Sequence, residues 1–139
     1  MKETKEARKE RQAQEEWQLV DVLRRAGNHV EPEQPVCKER KWRVDYLILT
    51  GRRGNSPIAM EIQGFGFGHV GRTGWLRDIE KAQAIAARGW RYVPLTREDV
   101  ANGDGLEALA RCGVRVEPTC PHSSGQTTEG NCARCGATV

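Results

Sequence analysis

Residues 41–63 read "KWRVDYLILTGRRGNSPIAMEIQ". Two apolar runs, 41–49 and 58–63, flank a turn rich in Gly, Arg and Pro. Each run has the length and β-branched content of a strand, and the turn between them predicts a hairpin. Each run also carries an acid: Asp45 in the first and Glu61, followed by Gln63, in the second. Side chains two apart on a strand share a face. Glu61 and Gln63 therefore point one way, and Ile58, Met60 and Ile62 point the other, into apolar packing. A hairpin brings Asp45 close to Glu61.

Two carboxylates side by side repel each other and are costly to desolvate. A divalent cation removes that objection. Mg²⁺ takes hard oxygen ligands, commonly one or two carboxylates completed by water and substrate phosphate. Asp45 and Glu61 suit such an ion, and the Gln63 amide oxygen can join directly or through water. An ion so held offsets charge on a phosphodiester and lowers the pKa of water.

Outward from the hairpin, residues 2–16 alternate Lys or Arg with Glu and lack Pro and Gly, which predicts a solvated helix. From Trp17 an apolar stripe of Leu19, Val22, Leu23 and Ala26 continues it, and Gly27-Asn28 ends it. Pro32 and Pro35 predict an irregular connection. Beyond the hairpin, 64–74 is a Gly-rich loop. Residues 75–88 read as a helix with Trp75, Ile79, Ala82 and Ala86 on one face and Gly89 as terminator. Residues 90–96 read as a third strand. Thr96 with Asp99 predicts a capped short helix. Residues 106–113 read as another helix, and "VRV" (114–116) as a last strand.

The chain has 139 residues, of which 37% are hydrophobic and 29% charged, as in a globular domain with a small appendage. The net charge of +3 is mild, so a basic nucleic-acid face must come from local clustering. No apolar run approaches the roughly 20 residues of a membrane span. The first 16 residues lack the apolar core of a secretory signal, which points to the cytoplasm and to reduced or metal-bound cysteines.

"RVDYLI", "IAMEIQG" and then "GHVGRTGWLRDIEKAQAIAARGWRYVPLT" resemble the PD-(D/E)XK, or restriction-endonuclease-like, nucleases. The likeness covers roughly residues 13–100. It is nearest to the small phage and bacterial branch of Vsr-like repair nickases and Holliday-junction-resolvase-like proteins. The resemblance implies an α/β fold with an αβββαβ core and a mixed sheet, and Mg²⁺- or Mn²⁺-dependent cleavage of DNA. It makes Asp45 and Glu61 metal ligands. Gln63 stands where the family name has Lys; it is neutral and cannot act as a base. Val44 replaces the family's Pro. The resemblance also implies an acid on the first helix that completes the metal shell, and Glu16, on the stripe face, is preferred over Glu15.

"GFGFGHVGRTG" (64–74) lacks the spacing of a nucleotide-binding loop. In a nuclease its small residues let the DNA backbone approach, with His69 and Arg72 contacting phosphate and His69 also able to position water. Asp78 and Lys81 share a helix face, where they make an ion pair or place Lys81 on the scissile phosphate. Arg40, Lys41, Arg43, Arg52 and Arg53 cluster near the hairpin and suit DNA-backbone contacts, with Arg43 nearest the site. Trp75 and Trp90 read as core.

After Pro118 the sequence turns small, polar and cysteine-rich. Cys120-x-His122 and Cys132-x-x-Cys135-Gly place four zinc ligands in two pairs. A segment this short builds no core of its own, so a closed structural Zn²⁺ site is expected to organise it. Cys112 reads as buried and Cys37 as a lone thiol. The chain thus divides into a charged helical extension (1–12), a nuclease-like domain (13–118) and a zinc knuckle (119–139). Branched or mismatched DNA is the expected partner, with a homodimer needed for junction resolution. The rival expectations are an inactive DNA-binding module of the same fold, which Gln63 permits, and a zinc-organised protein-interaction adaptor.

Overall fold

The computed structural model describes residues 2–50, 55–63 and 72–117. The chain forms an α/β fold around a four-stranded mixed sheet. Its order is α1 (Lys5–Arg25), β1 (His29–Pro35), β2 (Arg43–Leu49), β3 (Ile58–Gln63), α2 (Arg72–Ala87), β4 (Arg91–Thr96), α3 (Arg97–Asn102) and α4 (Asp104–Arg111). The strands lie in the order β1-β2-β3-β4. The first two pairings are antiparallel and β3 with β4 is parallel, so α2 is the crossover a parallel pair requires.

The apolar pattern of each strand sets the layers. Ile48, Ile58, Met60, Val93 and Leu95 pack with Leu19, Val20 and Leu23 of α1, Val100 of α3 and Leu109 of α4. Val36, Val44 and Ala59 pack with Ile85 of α2, flanked by Trp42 and Trp90. One helical layer thus holds α1, α3 and α4, and the other holds α2. The strand alternation breaks at one place. Val44 and Ile48 are an even number apart yet lie in different clusters. Between them is Asp45, whose counterpart in the β1 register is Glu33, a non-glycine residue with φ of 47°. A left-handed residue inside a strand locally breaks the pleat and re-aims nearby side chains, although the pairing resumes in the same register at Gln34↔Val44.

Caps follow the sequence. Thr4 accepts from the Ala7 N–H at 3.0 Å at the start of α1, and Thr96 with Asp99 forms a reciprocal capping box on α3. Gly27, with φ of 96°, ends α1.

Three expectations are corrected. Residues 29–35 form an edge strand, not an irregular connection. At a sheet edge Pro32 and Pro35 need not donate on both sides, and they blunt the edge against further pairing. Residues 114–116 are not a strand: Val114 is buried in the core, and the Arg115 carbonyl accepts from Asn28 Nδ2 at 2.7 Å. The α1 stripe runs through Leu19, Val20, Leu23 and Ala26, while Trp17 is 60% exposed and Val22 only partly buried. No helix among the described residues is long and apolar enough to cross a membrane.

Candidate active site

The β2–β3 ladder runs from Ile48↔Ile58 to Tyr46↔Met60. The ladder stops there, and Asp45 and Glu61 are the next residues beyond it on the two strands. The Asp45 carboxylate accepts a hydrogen bond from the Ile62 N–H at 2.8 Å. That N–H belongs to the peptide joining Glu61 to Ile62, so the two acids are immediate neighbours. The break in alternation at Asp45 is what turns its side chain toward the β3 backbone.

Glu61 is a buried carboxylate, 9% exposed. Its partner comes from the other layer: Lys81 Nζ of α2 pairs with Glu61 Oε1. Packing explains the meeting. Ile85 of α2 is fully buried in the cluster that holds Ala59 of β3. Lys81 is one helical turn before Ile85, a step of about 6 Å, and Glu61 is two strand residues beyond Ala59, a step of about 7 Å. The helix therefore delivers the ammonium to the carboxylate.

Tyr92 of β4 completes the group. Its Oη accepts from Gln63 Nε2 at 3.0 Å and lies 3.4 Å from Glu61 Oε2, to which its O–H donates. Burial, and next the charge of Glu61, push the phenol pKa up to about 12, so it remains a neutral donor at physiological pH. Asp78 of α2 is exposed and adds to that field.

Glu16 lies elsewhere. Its carboxylate accepts from Tyr46 Oη at 2.6 Å and pairs with Arg97 of α3 at 3.1 Å, on the α1 side of the sheet. Burial, then the Glu16 hydrogen bond and charge, hold the Tyr46 phenol well above its ordinary range, and Asp45 adds to the same effect. Tyr46 thus stands within electrostatic reach of both acids, but Glu16 shares none of the Glu61 contacts described above. Glu15 pairs with Arg11 at 2.5 Å along α1.

Of the basic cluster, Arg43 is exposed and donates to the Glu33 carbonyl at 3.1 Å, bracing the left-handed residue. Arg40 pairs with Glu80 at 3.4 Å and lies over the Trp42 ring, as Arg88 lies over Trp90. Lys38, Arg40, Trp42, Ala84 and Arg88 line a cavity of about 460 Å³. Ala84 and Arg88 follow Lys81 at three and seven residues, on the same face of α2. Cys37 and Cys112 are free thiols, and Cys112 packs against the core. His69, Arg52, Arg53 and the tail residues Cys120, His122, Cys132 and Cys135 lie outside the described residues, as do the side chains of Arg72 and Trp75.

No group of three or more His, Cys, Asp or Glu side chains is poised for a metal among the described residues. Asp45, Glu61 and Gln63 lie in one neighbourhood of the β2–β3 pair and offer two carboxylates and an amide oxygen, all hard donors. That set fits Mg²⁺ or Mn²⁺, which leave the remaining positions to water and substrate oxygen. Lys81 is a candidate from its place on the helix beside Asp78, but its pairing with the buried Glu61 is a product of packing. One group is not visible from sequence: Tyr92 reads there as one more residue of an alternating strand. Only the parallel pairing of β3 with β4, which lays Tyr92 beside Ala59, brings its ring to Glu61.

No family model, curated protein or solved structure matches this chain.

Proposed function

We propose that this protein is a divalent-metal-dependent DNA endonuclease of the restriction-endonuclease-like kind, acting on branched or mismatched duplexes. The observation that carries the reading is the junction of Asp45, Glu61, Gln63 and Lys81 at one end of the sheet. The strand order agrees with it: helix, three antiparallel strands, crossover helix, parallel strand. So does the cation. Gln63 leaves the family's lysine position neutral, and Lys81 brings an ammonium to the same carboxylate from α2.

Asp45 and Glu61 would hold the cation, with Gln63 Oε1 as a further oxygen. When bound, that ion supplies Lewis acidity to the scissile phosphodiester and offsets charge in the transition state. Lys81 exchanges its Glu61 partner for a phosphate oxygen of the substrate. The Gln63 carbonyl accepts a hydrogen from the attacking water and orients it without taking a proton. The Ile62 N–H donates to Asp45 Oδ2 and so keeps one carboxylate oxygen fixed. Lys38, Arg40 and Arg88 carry the flanking strand along the groove. Glu16 supports the site at a distance, through Tyr46.

The test offers supercoiled plasmid, four-way junctions, mismatched duplex, single strands and plain duplex with Mg²⁺ or Mn²⁺. Metal-dependent nicking that Asp45→Ala removes, with DNA binding largely kept, is the expected result. Loss of several kcal/mol of transition-state stabilisation puts the variant about a hundredfold or more below wild type. Binding without cleavage of any substrate makes the chain an inactive DNA-binding module. Absence of DNA affinity at low salt makes it a protein-interaction adaptor.

A further inference from the structure

We infer that Tyr92 is a positioning residue that fixes the Gln63 amide, so that its carbonyl oxygen rather than its NH₂ serves the cation or the attacking water. The inference rests on the nuclease reading and specifies how a glutamine works at Gln63.

The argument is one of hydrogen-bond polarity. An amide has two unlike ends and can occupy its site in two orientations that differ little in shape. Only the oxygen end is useful beside two carboxylates and a cation. Tyr92 chooses between the ends. Its hydroxyl owns one proton, and the neighbouring Glu61 oxygen, 3.4 Å away, is an acceptor only. That proton is therefore committed to Glu61. The phenol lone pairs that remain accept a hydrogen, and Gln63 Nε2 supplies it at 3.0 Å. The direction of the relay is fixed: Gln63 N–H to Tyr92, Tyr92 O–H to Glu61. A reversed amide would set Oε1 against those lone pairs, or draw the proton off a buried carboxylate.

The fold holds both ends of this relay in place. Glu61 and Gln63 are two apart on β3, and Tyr92 is anchored on β4 in parallel register with Ala59. Its ring therefore reaches along β3 to both residues. Since Nε2 turns to Tyr92, a planar amide directs Oε1 away from it.

The test measures Mn²⁺ affinity by calorimetry on the full chain without DNA, in a cycle of Tyr92→Phe and Gln63→Glu. A carboxylate at Gln63 has oxygens at both ends, so its orientation carries no information. Tyr92→Phe is expected to weaken Mn²⁺ binding about tenfold in the wild-type background, the usual size for loss of a group that orients a ligand. In the Gln63→Glu background the same change is expected to have little effect. Urea midpoints of all four proteins separate this coupling from loss of fold. An equal loss in both backgrounds overturns the inference, since Tyr92 then acts through Glu61 or packing. No loss in wild type overturns it as well. A wild type that binds Mn²⁺ and nicks DNA but is insensitive to Tyr92→Phe sinks only this inference. One that neither binds the ion nor nicks sinks the nuclease reading with it.

Discussion

Lys81 of α2 and Glu61 of β3 meet across the boundary between helix and sheet, and each supplies the other's counter-charge. The pair is mostly shielded, with side-chain exposures of 22% and 12%. Removing one partner of such a pair leaves an uncompensated carboxylate beside Asp45. Lys81→Met is therefore expected to cost about 2 kcal/mol in urea unfolding at neutral pH, below the full cost of breaking a buried pair because water still reaches the ammonium. Mn²⁺ should restore more stability to the variant than it adds to wild type, since the ion takes over the role of the lysine. A variant that is weakened but gains nothing extra from Mn²⁺ would refute the idea that Lys81 and the metal share Glu61.

Both tyrosines of the chain, Tyr46 and Tyr92, have phenols pushed above their ordinary value of 10, each first by burial and then by a neighbouring carboxylate. Alkaline titration followed through phenolate absorbance should show folded protein with far less tyrosinate at pH 10 than the urea-unfolded chain. The sign for stability follows. Between pH 10 and about 12 the native state holds protons that the unfolded chain has lost, so stability is intact below 10 and falls as pH rises through that window. Tyr92→Phe should flatten part of the fall. A normal phenolate curve in the folded protein would contradict the hydrogen bonds assigned to Glu16 and Glu61.

How far the sequence reveals this arrangement depends on the range of each signal. The hairpin is local: its strands, its turn and the alternation Ile58-Met60-Ile62 lie within about twenty residues, and periodicity reads them directly. Thr96 and Asp99 are equally local, and the capping box forms as spaced. β1 is missed because Pro32 and Pro35 argue against a strand unless its edge position is known, and edge position is a property of the whole sheet. Trp17 is assigned to the stripe by hydrophobicity, although its rotation about α1 places it outside the core. At the site, Asp45 and Glu61 are legible because a hairpin pairs them. The company of Glu61 is not, because Lys81 and Tyr92 arrive through a crossover and a parallel pairing that only tertiary packing defines.

The join between α3 and α4 offers a contrast between two glycines. Gly103 has φ of 86°, and a Cβ there meets nothing within 4 Å. Gly105 has ordinary helical backbone, but a Cβ would lie 3.0 Å from Leu95 Cδ1 and 3.1 Å from the Asp99 carbonyl oxygen. Leu95 is buried and Asp99 belongs to the cap of α3, so neither yields easily. Gly103→Ala should cost about 1 kcal/mol from left-handed strain, and Gly103→Asn should recover part of it. Gly105→Ala should cost about 1–3 kcal/mol through overpacking, and Gly105→Asn should be worse. Urea midpoints of the four variants check the pattern; similar rescue by Asn at both positions would mean that α4 does not pack closely on Leu95 and Asp99 at Gly105.

The last prediction concerns residues 119–139. Cys120, His122, Cys132 and Cys135 are spaced as two candidate ligand pairs separated by nine residues, in a segment poor in large apolar side chains. Protein purified without chelator should carry about one zinc per chain, measured by metal analysis and by native mass spectrometry. Binding needs deprotonated thiols and a neutral imidazole, so zinc should leave as pH falls below about 6. Cys132→Ser should lower the stoichiometry, whereas Cys37→Ser should not. The zinc set consists of sulfur and imidazole donors and the Asp45–Glu61 set of hard oxygens, so removing zinc should leave Mn²⁺ affinity unchanged. Zinc retained in full by Cys132→Ser, or lost together with Mn²⁺ affinity, would show that the two metals are not held by separate groups of residues.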